Sequence, residues 1–305
     1  MLDPQPVAGS GLLRPSSLVR VISDYITLTK PPIILLLLIT ALGGMFLATQ
    51  GVPSLRLVVF VCLGGALGAG GANSLNHYLD MDIDGMMSRT RQRPLPSHRI
   101  PAHNALAFGI ILNMLAFLLL ATGVNLLAAA LTLLATLFYV FVYTIWLKRT
   151  TPQNIVIGGA AGSIPPLVGW AAVTGGLDLP ALYLFGIIFF WTPPHFWALA
   201  LLIQKDYEKA GIPMLPVATT REHTVLNIFL YSLVLVALSL IFATTSAVGW
   251  VYLSAAVPLG GVLIVLAGQL GRNHTARHAR QLYLYSLIYL ALLFLAVMVD
   301  SIVGI

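Results

Sequence analysis

Charge is scarce in this chain. Only 9% of its 305 residues are Asp, Glu, Lys or Arg, 58% are hydrophobic, and the mean hydropathy is +0.92, a balance that excludes a soluble globular domain. Cysteine is almost missing: Cys62 stands alone, so no disulfide can close within the chain. Strand-like alternation is absent from the apolar stretches, which run about 18 to 25 residues each, and spanning helices are the remaining way to satisfy the backbone in hydrocarbon. The first 30 residues lack a compact apolar core ahead of a small-residue cleavage site and carry Pro4, Pro6 and Pro15 among scattered charges. Residues 1–30 are therefore expected to form a cytoplasmic N-terminal tail, and 31–305 a single transmembrane domain.

What is present is a series of nine apolar segments, at about 33–50, 57–79, 103–122, 126–147, 154–174, 180–203, 224–245, 248–270 and 282–304. The expected fold class is an all-α membrane protein, a bundle of nine transmembrane helices. An odd number puts the termini on opposite sides. Basic residues choose the orientation, because cytoplasmic loops collect Lys and Arg. Arg14, Arg20 and Lys30 lie in the tail; Arg89, Arg91, Arg93 and Arg99 in the second loop; Lys148 and Arg149 in the fourth. Lys205, Lys209 and Arg221 follow in the sixth and Arg272, Arg277 and Arg280 in the eighth, so 15 of 16 basic residues share one face and only Arg56 opposes them. The N-terminus is expected to be cytoplasmic and the C-terminus on the other side. The second and sixth loops, about 80–102 and 204–223, follow helices four spans apart and are expected to face each other on the cytoplasmic side.

One stretch concentrates the acid. In "NHYLDMDID", residues 76–84, Asn76, Asp80 and Asp84 drift only about 40° per step on a continuing helix and share one face. Oxygen donors without Cys or a matched His pair suit a hard cation such as Mg²⁺. "SRTRQRPLP" follows with Arg89, Arg91 and Arg93; a cation on the carboxylates and arginines beside it would together clamp a diphosphate and stabilise charge on its departure. The competing reading makes Asp80, Asp82 and Asp84 a solvated helix exit and the arginines a lipid-phosphate patch. The sixth loop, "QKDYEKAGIPMLPV" at 204–217, adds Lys205, Asp206, Glu208 and Lys209, as a second patch or as a solvated loop. An ion-coupled transporter would instead place carboxylates near the bilayer midplane, which is almost free of charge here. His77 points about 100° away from Asn76 and is the weaker candidate. In "GGALGAGGANS" at 64–74, Gly64, Gly68 and Gly71 read as a face for close helix packing, since no strand precedes them and the Walker lysine is missing. Pro165 and Pro166 are expected to kink the fifth span.

These residues carry a resemblance. "NHYLDMDID" with "SRTRQRPLP" resembles the first aspartate-rich motif of the UbiA-type intramembrane prenyltransferases. "LTKPPIILLLLITALGGMFLA" from 28, "YTIWLKRTTPQNIVIGGAAGSIPPLVGWAAVTG" from 143 and "WTPPHFWALALLIQKDYEKAGIPMLPV" from 191 are similar to the protoheme IX farnesyltransferases, or heme O synthases, within that superfamily. The resemblance implies Mg²⁺-dependent transfer of farnesyl from farnesyl diphosphate to a vinyl group of heme b, with water added, at the cytoplasmic side of the cell's inner membrane. It implies Asn76, Asp80 and Asp84 as metal ligands and, with Asp206, as catalytic groups. Arg89, Arg93, Lys148, Lys205 and His195 are implied as substrate contacts. The partners implied are heme b, farnesyl diphosphate, the lipid bilayer and a heme A synthase, with no nucleic acid. Met81 stands where relatives often carry a basic residue, and the second motif lacks the repeated aspartates of phenolic-acceptor relatives. An iron porphyrin invites an axial ligand, for which His195 in "TPPHFW" is the candidate; its other expected role is to satisfy carbonyls freed by Pro193 and Pro194. His274 and His278 are expected in a surface loop against anionic lipid.

Overall fold

The computed structural model describes residues 17–303, so Pro4, Pro6, Arg14 and Pro15 lie outside the described residues. Within that range the chain is helical with no strand, and nine helices are long and apolar enough to span a bilayer. The spans are α2 (Pro31–Thr49), α3 (Leu55–Leu79), α5 (Ala102–Gly123), α6 (Leu126–Thr150), α7 (Asn154–Thr174), α8 (Leu179–Leu202), α11 (Arg221–Phe242), α12 (Trp250–Asn273) and α13 (Ala276–Val303). Short helices fill the connections: α4 (Met81–Met86), α9 (Gln204–Lys209) and α10 (Leu215–Ala218). Each expected apolar segment coincides with one span. The described part of the expected tail holds a further helix, α1 (Ser17–Thr29).

Local chemistry sets the ends. The Ser54 hydroxyl accepts from the Leu57 N–H, Asn125 from Ala128, and Thr220 from His223, and each satisfies a donor that a helix start leaves unpaired. Pro31 opens α2, where its missing N–H costs nothing. Pro165 and Pro166 divide α7 at Ile164, as the sequence predicts. Pro193 and Pro194, by contrast, lie inside α8 without ending it.

Consecutive spans are neighbours, and α13 packs back on α2 to close a ring. Burial separates the roles: 67% of the apolar stretch is buried in α7 and in α8, against 22% to 44% in the other seven spans. Helices α7 and α8 are thus central, and Leu184, Ile187 and Trp197 are sealed among their neighbours. Helix α2 crosses α7 at backbone contact, so that a Cβ on Gly169 would sit 1.9 Å from the Ala41 carbonyl oxygen. The glycine face of α3 packs on α5 as expected; a Cβ on Gly71 would meet the Gly109 carbonyl oxygen at 2.7 Å. Small residues allow such approaches, and the dispersion contacts they open hold membrane helices together.

Helix α1 sits against the second loop. Leu28, Leu95, Ile100 and Ala105 form a small buried cluster there, and the Arg99 Nε donates at 3.0 Å to the Asp24 carboxylate. Leu18, Ile22 and Ile26 remain exposed, the apolar stripe of a helix that lies along an interface.

Candidate functional site

The acidic motif straddles the end of α3. The helix breaks at Asp80, whose φ of −96° and ψ of 8° leave the helical region, yet the bonding continues: Asp80 N–H donates to Asn76 O and Asp84 N–H to Asp80 O. Asn76, Asp80 and Asp84 are therefore held on one side, at 4%, 1% and 3% exposure. The side chain of Asp82, turned the other way, is 60% exposed. The reading of the three aspartates as a solvated helix exit is overturned for two of them.

Cations surround this face. Lys148 Nζ donates to Asp80 Oδ2, and Arg93 Nη1 donates to both oxygens of Asp84 at 2.9 and 2.8 Å. Asn76 links the set: its amide donates to Asp80 Oδ2 at 2.8 Å and to Thr144 Oγ1 at 3.1 Å, while its oxygen accepts from Lys30 Nζ at 2.8 Å. The sequence reading counted Lys30 only as an orienting charge. It stands between α1 and α2 with φ of 55°, a left-handed conformation that costs an L-residue about 1–2 kcal/mol. Such strain persists where the surroundings over-determine it, often at functional sites. Burial, with Arg93 and Lys148 nearby, lowers its pKa to about 7 against the opposing pull of Asp84 and Asp80.

The fourth span reaches the site through a widened helix. Residues Phe138–Leu147 of α6 form a π-helix, in which the Thr144 hydroxyl donates to the Tyr139 carbonyl. This turn brings Thr144 against Asn76 and Lys148 against Asp80, and π-turns recur at functional sites. Arg149 then fastens the end of α6, donating to both Asp82 oxygens and to Leu79 O. Its guanidinium holds the Asp82 carboxyl below the ordinary carboxylate range.

The second and sixth loops do meet. Asp206 on α9 accepts from the Ser88 hydroxyl at 2.8 Å and from the Ser88 N–H at 3.3 Å. The Ser88 hydroxyl chiefly, with the Ser88 and Arg89 backbone and the Arg89 charge, holds the Asp206 pKa low. Tyr207 beside it is buried, and burial raises its phenol. Lys205 and Arg89 are exposed, Arg89 close enough to Asp206 to act on its charge.

Two histidines differ from expectation. His77 is 1% exposed and its Nδ1 lies 3.8 Å from Asp84 Oδ2. Seven residues make almost two full helical turns, so Asp84 drifts away from Asn76 and over His77. Both ring nitrogens of His77 are buried without a hydrogen bond. His195 does not serve carbonyls freed by the prolines: its Nδ1 meets Ser286 Oγ of α13 at 2.7 Å, and its ring stacks on Trp191 and Tyr283 at 4.3 and 4.8 Å. Ser286 Oγ donates its one proton to Tyr283 O. His195 Nδ1 is engaged by Ser286, and Nε2 is the ring nitrogen left for another partner. His274 caps the end of α12 in the α12–α13 connection, as expected, whereas His278 lies in the first turn of α13 and not in a loop.

Among the described residues no three His, Cys, Asp or Glu side chains gather closely enough to hold a metal, and Asp80 and Asp84 are separately paired with Lys148 and Arg93. The donor chemistry still fits a hard cation. Asp80 Oδ1 is buried with no hydrogen-bond partner, and with Asn76 and Asp84 it offers oxygen donors alone on one face. A lateral groove of about 580 Å³ lies between α3, α5 and α6, bounded by Leu79 and Ile145, and carries none of these acidic groups.

With this geometry in view, the chain can be set beside known proteins. It is 50% identical to the protoheme IX farnesyltransferase of Roseiflexus sp. (strain RS-1) over 98% of its length, and spans 59% of that relative. Protoheme IX farnesyltransferase 1 of Saccharopolyspora erythraea is also 50% identical, with 93% of this chain and 91% of that one covered. Among solved structures, digeranylgeranylglyceryl phosphate synthase superposes with a TM-score of 0.76 at 19% identity over 93% of this chain and 99% of that one. A UbiA homolog from Archaeoglobus fulgidus, bound to GPP and Mg²⁺, gives 0.65 at 19% identity over 90% and 99%. These last two share the fold. The pattern of the UbiA prenyltransferase family matches residues 37–297, and the chain belongs to that family.

Proposed function

We propose that the chain transfers the farnesyl group of farnesyl diphosphate to a vinyl group of heme b, with addition of water, to give heme O. One observation carries the reading: a buried face of Asn76, Asp80 and Asp84, encircled by Lys30, Arg93 and Lys148, at one rim of an apolar bundle. The relatives' names and the GPP and Mg²⁺ of the archaeal homolog support the choice of substrate and ion. Asn76, Asp80 and Asp84 would hold Mg²⁺, which supplies positive charge to a leaving diphosphate. Lys30, Arg93 and Lys148, with Arg89 at the rim, take the remaining phosphate oxygens as a diphosphate displaces Asp84 from Arg93, Asp80 from Lys148 and the Asn76 amide oxygen from Lys30. Asp206 keeps the sixth loop against the second through Ser88. Lys205, exposed beside it, meets the diphosphate from the far wall.

The chemistry demands what the bundle provides. As the C1–O bond breaks, its electron pair leaves with the diphosphate, and cations fixed beforehand stabilise that charge. The allylic cation must be kept from water. The terminal vinyl carbon attacks C1, a C–C bond forms, and the cation passes to the carbon next to the porphyrin ring. Water then adds its oxygen there and releases a proton. His195 offers Nε2 toward the acceptor as its iron contact. By the positive-inside rule the site and the N-terminus face the cytoplasm, in the cell membrane, with residues 1–30 as a tail and 31–305 as one membrane domain. Heme A synthase would take up the product. Purified protein with heme b, farnesyl diphosphate and Mg²⁺ should yield a porphyrin heavier by a farnesyl and a hydroxyl group; absence of that mass refutes the assignment.

A further inference from the structure

A second basic site lies apart from the acidic motif, on the seam between α8 and α13. A groove of about 490 Å³ opens there, lined by Leu202 of α8 and by Ala276, Arg277, Arg280, Gln281 and Leu284 of α13. Positions 277, 280, 281 and 284 recur at helical spacing, so one face of α13 presents two guanidinium groups and an amide above a leucine. Among the described residues neither arginine has a hydrogen-bond or ion-pair partner, and no acidic side chain lines the groove. The groove opens outward, and the imidazole already described lies between the same two helices, against Tyr283 and Ser286 of α13. On α8, Leu202 stands two turns from His195 on the same face; on α13, Leu284 adjoins Tyr283, whose ring stacks on His195.

We infer that this groove binds the carboxylates of the acceptor porphyrin, with Arg277 and Arg280 as the anchoring pair. The inference rests on the reading that the acceptor is heme b. A planar guanidinium matches a carboxylate in two-pronged geometry. Heme b carries two carboxylates on one edge and its vinyl groups away from them. With the acid edge at Arg277 and Arg280, the flat ring follows the seam toward His195, and a vinyl edge points into the bundle. The groove would thereby set which part of the porphyrin reaches the prenyl cation.

The test is a Soret-band titration of the full-length protein in nanodiscs of purely zwitterionic lipid, with heme b and with its dimethyl ester. Wild type should bind heme b roughly tenfold or more tightly than the ester, the scale of losing a charge-assisted hydrogen bond. The double variant Arg277→Gln, Arg280→Gln should lose that preference while its KM for farnesyl diphosphate stays unchanged. Equal binding of acid and ester by wild type overturns the proposal, as does a preference that survives in the variant. Loss of anionic-lipid binding in the variant together with an unchanged preference for the acid assigns the arginines to lipid headgroups and overturns it too. If binding discriminates as expected but no farnesylated porphyrin forms, the carboxylate site stands and the proposed activity falls.

Discussion

Asp80 and Asp82 lie two residues apart in one motif, and the structure gives them opposite tasks. Asp80 is 1% exposed and pairs with Lys148, whose side chain is 14% exposed; Asp82 pairs with Arg149 and its side chain is 60% exposed. Replacement of each by Asn keeps size and shape and removes one charge. In Asp80→Asn, Lys148 loses its counter-charge, and removal of one member of a buried pair costs about 3–5 kcal/mol. Lys148 can turn toward the rim, so a loss near the lower end, about 3 kcal/mol, is expected. The new amide still accepts from Asn76, so the fold should persist. Turnover should suffer more: loss of one preorganised electrostatic group typically costs about 10²–10³ in rate, and Asp80 also supplies the oxygen proposed for the ion, which has no hydrogen bond and faces Arg149 Nη2 at 4.0 Å. In Asp82→Asn, an exposed pair is lost, worth under about 1 kcal/mol, or at most about fivefold in rate. The assay is product mass against time over an Mg²⁺ titration, beside thermal unfolding in the same detergent. Equal losses in both variants, or an unchanged rate and Mg²⁺ midpoint in Asp80→Asn, would refute the assignment of the buried face.

Gly169→Ala places a Cβ 1.9 Å from the Ala41 carbonyl oxygen, and such overpacking against backbone should cost about 3 kcal/mol or more. Gly162→Ala meets nothing within 4 Å and should stabilise α7 by about 0.5–1 kcal/mol; unfolding temperatures that move alike in the two variants contradict the α2–α7 crossing. His195→Ala should raise the KM for heme while leaving that for farnesyl diphosphate, and unchanged heme affinity assigns the ring to packing between Trp191 and Tyr283. Asp206→Asn should weaken diphosphate binding several-fold by freeing the sixth loop from Ser88. The Asp206 carboxyl is held low by that hydroxyl. Its clasp is therefore complete above the ordinary carboxylate value of about 3.9 and is lost only as pH falls through the lower folded value. The defect of Asp206→Asn should accordingly be equal at pH 5 and pH 8, and a defect that shrinks at pH 5 contradicts the clasp.

The sequence alone determined the spans and the shared side of Asn76, Asp80 and Asp84, because both are local. An apolar run of about 20 residues has one stable form in hydrocarbon, and four-residue spacing places side chains together on any helix. Asp82, between them, was bound to turn away. What reaches that face from elsewhere in the chain was decided by the tertiary structure. Lys30 comes from 46 residues upstream and Lys148 from 68 downstream of their partners, and no spacing rule relates such positions. The π-helix that aims Thr144 and Lys148 changes the residue count per turn without a mark in "FYVFVYTIWL". His77 lay within reach of local reasoning, since seven residues bring it under Asp84. The partner of His195 did not, because Ser286 lies 91 residues away and meets it only where α13 closes on the central α8.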